Sequence, residues 1–237
     1  MKFDILTLFP EMFEPIKQSV IGKAVEKELI EINLINIRDF SKDKHKKVDD
    51  TVYGGGAGML IRPDVVYDAF QSIEKEKDAK VIYLSPKGKL LSQEKVEELS
   101  KEKHLILLCG HYEGIDQRVI DEINPEEISI GDYVLTGGEI PAMVLVDSVS
   151  RYVSGVITNE STSEESFSEG LLEYPQYTRP EEFLGKKVPE VLKSGHHEKI
   201  RIWRRKESLK ETFLKRPELL EKIELTEEDR KYIESLK

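Results

Sequence analysis

A chain of 237 residues, 38% hydrophobic and 35% charged, is long enough to bury roughly 70% of its unfolded surface, in one large domain or a large and a small one. Its single cysteine, Cys109, excludes an internal disulfide and any zinc site built on several cysteines. The net charge of −10 argues at first against nucleic acid, but residues 1–169 carry −12 and residues 170–237 carry +2, so the tail can present a basic face.

Lys2 to Phe9 is a short apolar-rich strand ended by Pro10. Asp4 interrupts it, no basic n-region precedes it, and no apolar run reaches the length of a membrane span, so a cytoplasmic protein is expected. Pro10 to Lys27 places Met12, Phe13, Ile16 and Val20 at helical spacing. Ile30, Ile32 and Leu34 alternate as in a strand, which Ile35 and Ile37 continue. Ser41 to Asp50 is almost wholly charged and reads as an exposed loop. Four glycines among Gly54 to Gly58 then make a loop that must pack closely, bind or move. That loop is neither a P-loop nor a dinucleotide fingerprint, because the following lysine and the preceding strand are both missing.

Pro63 to Lys75 reads as a helix, Lys80 to Leu84 as a strand, and Ser85 to Gly88 as a turn. Ser92 caps a short helix that runs to Ser100. His104 to Cys109 is a buried strand, which makes Cys109 a buried and inert thiol rather than a nucleophile. Gly110 to Gly114 is a glycine-bounded loop, and Ile115 to Ile123 a helix stopped by Asn124-Pro125. The stretch ISIGDYVLTGGEIP, Ile128 to Pro141, has turns at Gly131-Asp132 and Thr136-Gly137-Gly138 and opens a helix running to Val153.

This alternation predicts an α/β domain with a mostly parallel sheet. Ligands bind beyond the carboxyl ends of parallel strands, so the loops at Ser85, Gly110 and Thr136 should converge on one pocket. Asn159 to Gly170 reads as a linker. Tyr174 to Pro180 is extended, and the helices expected at Glu198–Leu214, Pro217–Ile223 and Thr226–Leu236 make a small all-α unit, with Thr226 and Asp229 capping the last. Lys199, Arg201, Arg204, Arg205 and Lys206 surround Trp203, which suits phosphate and unpaired bases but equally a solvated face. Asp147 and Arg151 lie one turn apart and can pair with each other. The adjacent His196 and His197 make a poor metal pair, and no spaced histidine–cysteine set or G-x-S-x-G elbow occurs.

LFPEMF, VDDTVYGGGAGM, VIYLSPKG, LLCGHYEGID, SIGDYVLTGGEIPAM, DSVSR, LLEYPQYTRP and VLKSGHHEKIRIWR occur in this order. Through them the chain resembles the bacterial tRNA (guanine-N1)-methyltransferases called TrmD over nearly its whole length. The resemblance implies a SPOUT-type α/β domain at 1–157 with a C-terminal trefoil knot, a flexible linker at 158–169 and a helical tRNA-binding domain at 170–237. It implies S-adenosylmethionine as methyl donor and tRNA as substrate, with the guanosine 3′ of the anticodon as target. It further implies a homodimer with the site between subunits, and a magnesium requirement met by an ion loosely held on carboxylates.

By the same resemblance the donor site is walled by Tyr83, Leu84, Ser85 and Pro86, then by Gly110, Tyr112, Glu113 and Gly114. A third wall is Ile130, Gly131, Asp132, Tyr133, Val134, Leu135, Gly137, Gly138 and Pro141. Asp49, Gly55 and Gly56 belong to the guanosine pocket, and Arg201, Arg204 and Arg205 to the tRNA grip. Arg151 is the catalytic cation. The catalytic carboxylate falls on Glu165, where the family carries aspartate, with Glu164 and Glu169 as rivals. A non-catalytic RNA-binding module of the same fold is the alternative, and a dinucleotide-dependent oxidoreductase is a remote third.

Overall fold

Strand β6, His104–Cys109, is buried along its whole length, as its unbroken apolar run requires of a strand covered on both faces. It lies at the centre of a five-stranded sheet ordered β2-β1-β6-β5-β7, in which every pairing is parallel. The others are β1 (Lys2–Thr7), β2 (Glu31–Asn36), β5 (Lys80–Leu90) and β7 (Glu126–Ser129). A small antiparallel pair, β3 (Asp49–Thr51) and β4 (Met59–Ile61), stands apart from it. The structure is a computed structural model and describes residues 1–157, 166–167 and 170–237. The chain divides into two compact units, Met1–Thr158 and Asn159–Lys237.

The period-two alternation of β6 sorts the core. Leu105, Leu107 and Cys109 pack on one face with helices α1 (Ser19–Glu26), α3 (Gln93–Leu99) and α5 (Glu139–Ser150). Ile106 and Leu108 pack on the other with α2 (Pro63–Gln71) and α4 (Gln117–Ile123). Ser92 caps α3 by accepting from the Lys95 N–H, and Asp116 caps α4 by accepting from that of Arg118.

Several elements depart from the sequence expectation. Pro10 to Lys27 is a 3₁₀ segment, Pro10–Lys17, followed by α1. The extended Gln18 and left-handed Ser19 separate them, and Pro15 has no N–H to continue an α-helix. The second strand stops at Asn36, whose side chain caps a 3₁₀ turn over Ile37–Phe40. The charged stretch before the glycine loop is no simple exposed loop: Val48 is fully buried and Asp49 pairs with Ile61. Ser85 to Gly88 is not a turn either. Strand β5 runs on through it, so that Ile128 of β7 pairs with Leu84 on one stretch of β5 and with Lys89 on another. A Cβ at Gly88 would fall on the backbone of Glu127 and Ile128, so the crossing demands glycine there.

The second unit is helical over α6 (Glu190–Lys193), α7 (His197–Lys215), a 3₁₀ segment at Pro217–Lys222, and α8 (Glu227–Glu234). It is not purely α. A hairpin joins β8 (Glu182–Phe183) to β9 (Lys186–Lys187) through Leu184 and Gly185, both at positive φ.

Thr226 and Asp229 form the expected capping box of α8, and Asp229 also receives the Arg205 guanidinium at 3.0 Å. Burial opposes the Asp229 charge, but Arg205 and the Thr226 N–H outweigh it and hold the carboxyl below its usual value. A depressed carboxylate pKa adds stability above the unfolded value of about 3.9 and loses it as pH falls through the folded one. Asp229→Ala should therefore destabilise α8 against α7 by roughly 2 kcal/mol at neutral pH, and by less in acid. Hydrogen exchange of the α8 amides at pH 7 and pH 3 measures it; equal losses at both pH values refute it.

Candidate active site

The middle of β5, Tyr83 to Lys87, and the segments that follow β6 and β7 wall one cavity of about 270 Å³. Of the residues expected to form the donor site, all line this cavity except Asp132, which is exposed. Hydration of its charge favours that outward position. The walls also include Thr136, which opens the third of the expected loops, and Lys87, His111, Gln117, Ile120 and Glu127, which were not singled out as site residues from the sequence. His111 was within reach of sequence reasoning, lying inside the Gly110–Gly114 loop. Glu127 was not, because it enters through strand register, opposite Tyr83.

The loop from Ile130 to Gly138 has no regular structure and returns to the end of β6. There the Gly138 N–H donates to the Gly110 carbonyl at 2.7 Å, and His111 bridges to Gly137. A Cβ on Gly138 would come within 2.8 Å of Cys109 Cα and 3.0 Å of the Gly110 nitrogen. The glycine is thus required by backbone approach. Cys109 beneath it is fully buried, and burial followed by the Glu139 charge pushes its thiol well above the ordinary value. It is an inert packing residue.

Glu139 opens α5 and is 1% exposed. Its Oε1 accepts from Thr7 Oγ1 at 2.8 Å, and Oε2 lies 3.7 Å from His111 Nδ1. A carboxylate at the first residue of a helix is favoured by the unsatisfied N–H groups there. The His111 ring packs on Phe9 with centroids 4.7 Å apart and meets Tyr112 edge-on. Tyr112 itself holds φ at +59°, a strained value for a tyrosine.

The glycine loop is stitched to this cavity. The Glu113 N–H donates to the Met59 carbonyl, the Ile61 N–H to the Gly114 carbonyl, and the Asp116 N–H to the Ile61 carbonyl, at 3.0, 3.0 and 3.1 Å. Asp49 stands opposite Ile61 at the base of the same hairpin, and Gly55 and Gly56 are exposed at its tip. The hairpin therefore stands beside the middle wall of the cavity, with open space around Gly54, Gly55 and Gly56, while Gly58 lies against the Glu113 side chain.

Arg151 follows α5 directly, at the C-cap. The helix has 12 residues and its third, Pro141, lines the cavity, so Arg151 lies about 15 Å along the axis from that wall. The sequence placed them on one helix; the helix holds them apart. Glu165, Glu164 and Glu169 fall outside the described residues.

In the second unit, Trp203 packs against Tyr174 and Tyr177 with centroids 6.5 and 6.2 Å apart. Arg204 stacks on Tyr174 at 4.7 Å, and Arg201 pairs with Glu198 at 2.7 Å on an exposed surface. Arg205 is committed to Asp229, which gives it a part in the fold of this unit. Among the described residues no group of three histidine, cysteine or carboxylate side chains could cage a metal.

A family model described as tRNA (Guanine-1)-methyltransferase TrmD matches residues 1–222. A tRNA (guanine-N(1)-)-methyltransferase of Ruminiclostridium cellulolyticum is 60% identical over 227 residues, covering 94% of this chain and 97% of that protein. Those of Dictyoglomus turgidum and Caldanaerobacter subterraneus subsp. tengcongensis are both 58% identical, over 100% and 98% of this chain and 97% of each relative.

Proposed function

Since the chain belongs to the TrmD family of tRNA (guanine-1)-methyltransferases, we propose that its cavity holds S-adenosylmethionine for transfer of the methyl group to N1 of the guanosine 3′ of the anticodon in tRNA. The observation that carries the placement is the convergence of the middle of β5 and the segments after β6 and β7 on one cavity, with the glycine hairpin tied to its middle wall. The fit is chemical as well as spatial. Backbone groups of glycine-rich turns and the apolar Ile130, Leu135 and Pro141 suit a flat adenine, while Glu113, Glu127 and Lys87 offer charge to the polar half of the donor.

Guanine N1 bears a proton at neutral pH, and its loss places negative charge on O6. In the proposed reaction the Glu165 carboxylate takes that proton and Arg151 stabilises the developing charge on O6. The N1 lone pair forms the new bond to the methyl carbon as the carbon–sulfur bond breaks. Its electron pair stays on sulfur, leaving a neutral thioether.

The distance along α5 supports a composite site between two copies of the chain. One subunit cannot bring its own Arg151 to its own cavity without unwinding that helix. A twofold dimer in which each copy lends Arg151 to the other's cavity removes the conflict. The exposed apolar residues Tyr133, Val134, Leu135, Ile140 and Val144 lie on the loop and helix concerned and are the surface we assign to this contact.

The trefoil knot is part of the same reading. It is supported by β7 lying between two stretches of β5 and by the return of the following loop to the end of β6. The helical second unit, with its cluster at Trp203 and Arg204, is the proposed tRNA grip. A magnesium requirement would be met by a loosely held ion, since the described residues supply no cage, and no step above passes through it. No helix among the described residues is long and apolar enough to cross a membrane, and the proposed tRNA substrate supports a cytoplasmic location as part of the same reading.

Two tRNA transcripts differing only in guanosine or adenosine 3′ of the anticodon test the reading. Methyl transfer from labelled donor should occur on the first alone. Equal labelling, or none on either, sinks it.

A further inference from the structure

Glu127 lies on the cavity wall opposite Tyr83 in the β5–β7 register. Its Oε2 is shut off from solvent and has no hydrogen-bond partner among the described residues. Burial first, and then the charge of Glu127, push the Tyr83 phenol up, as expected if the carboxylate lies beside the ring's hydroxyl. The cavity's other charged walls are Glu113 and Lys87, which makes the lining net negative before His111 is counted.

A carboxylate oxygen removed from water without a partner is costly, and such groups are kept where a ligand completes them. A cation compensates a carboxylate better than a neutral donor does, through a charge-assisted bond. S-adenosylmethionine carries two cationic groups, the sulfonium and the α-ammonium, against one carboxylate. Its demethylated product keeps the ammonium but has a neutral sulfur.

We propose that Glu127 is a donor-selecting residue of this cavity: its buried carboxylate oxygen takes a cationic group of S-adenosylmethionine as its missing partner. The proposal rests on the cavity being the donor site. It gives β7 a part in binding that its position behind the glycine loops conceals. It also gives the protein a means of holding the charged donor and releasing a less charged product.

The test is calorimetry on the full chain and on Glu127→Gln, with S-adenosylmethionine, S-adenosylhomocysteine and methylthioadenosine, which keeps the ribose but has neither cation. Glu127→Gln should weaken S-adenosylmethionine by about tenfold or more. A loss confined to S-adenosylmethionine assigns the sulfonium. A loss shared with S-adenosylhomocysteine but not methylthioadenosine places the carboxylate on the ammonium, which the product keeps, and overturns the donor-selecting role. An equal loss for all three assigns a ribose hydroxyl and overturns the cation role. No loss beyond about twofold overturns any role for Glu127 in binding. Thermal unfolding of the two ligand-free proteins guards against a merely structural effect. Removing an unpartnered buried charge should leave the midpoint unchanged or raise it, and a lowered midpoint also overturns the proposal. If the unaltered protein binds none of the three ligands, the cavity's assignment as the donor site has failed instead, before Glu127 is in question.

Discussion

Arg151→Ala should lower the single-turnover rate of methyl transfer by about 10²–10³-fold while leaving donor affinity nearly unchanged. The split follows from position: Arg151 sits about 15 Å along α5 from the cavity wall at Pro141 in its own subunit, too far to touch a donor held there. Glu165→Gln should cost about 10²–10⁴-fold, and Glu164→Gln and Glu169→Gln far less. If either neighbour gives the larger loss, the base has been assigned to the wrong carboxylate. The composite site makes a sharper demand. Neither Arg151→Ala nor a cavity variant such as Gly138→Ala should be active alone. Mixed in equal amounts and allowed to exchange subunits, they should recover about a quarter of the unaltered activity, because half of the dimers then carry one intact site of two. No recovery on demonstrated exchange would place Arg151 and the cavity of one subunit in the same site, against the length of α5.

Gly138→Val should abolish donor binding and destabilise the first unit by roughly 1–3 kcal/mol. The added carbon would meet the backbone of Cys109 and Gly110 at 2.8 and 3.0 Å, and backbone cannot rotate aside as a side chain can. Relief requires the loop to back away, which breaks the 2.7 Å hydrogen bond to the Gly110 carbonyl and opens the wall of the cavity. Denaturant unfolding reads the first effect and calorimetry with S-adenosylmethionine the second. Tight binding retained by Gly138→Val would mean that the loop does not form the donor site.

Much of the cavity could be read before any fold was known. Glycines and prolines after apolar runs mark places where strands end and chain turns, and in a parallel sheet those ends lie together. That argument, reinforced by the order of the family motifs, places Ser85, Gly110 and Gly138 around one cavity. The capping box and the buried thiol were legible too, because each depends on residues within a few positions of one another: Thr226 with Asp229, and Cys109 in its apolar run.

What the sequence hid was non-local. Val48 sits in a charged stretch and is core only because β3 pairs with β4. Ser85 to Gly88 has turn composition, yet it runs on as β5 because β7 lies against it, and only the crossing explains why Gly88 must lack a side chain. Glu127 became a wall residue through its register with Tyr83, a pairing no periodicity encodes. The basic run around Trp203 looked uniform, but Asp229, far along the chain, engages Arg205 while Arg201 stays on the surface. Residue type and spacing thus determined most of the elements and their glycine-rich ends, which local sterics and side-chain periodicity set, while the long motifs in their order carried the resemblance to the family. Tertiary structure decided which strand lies between which, which charges are already paired, and that α5 separates Arg151 from the cavity at its other end. Those depend on how distant segments are brought together in space.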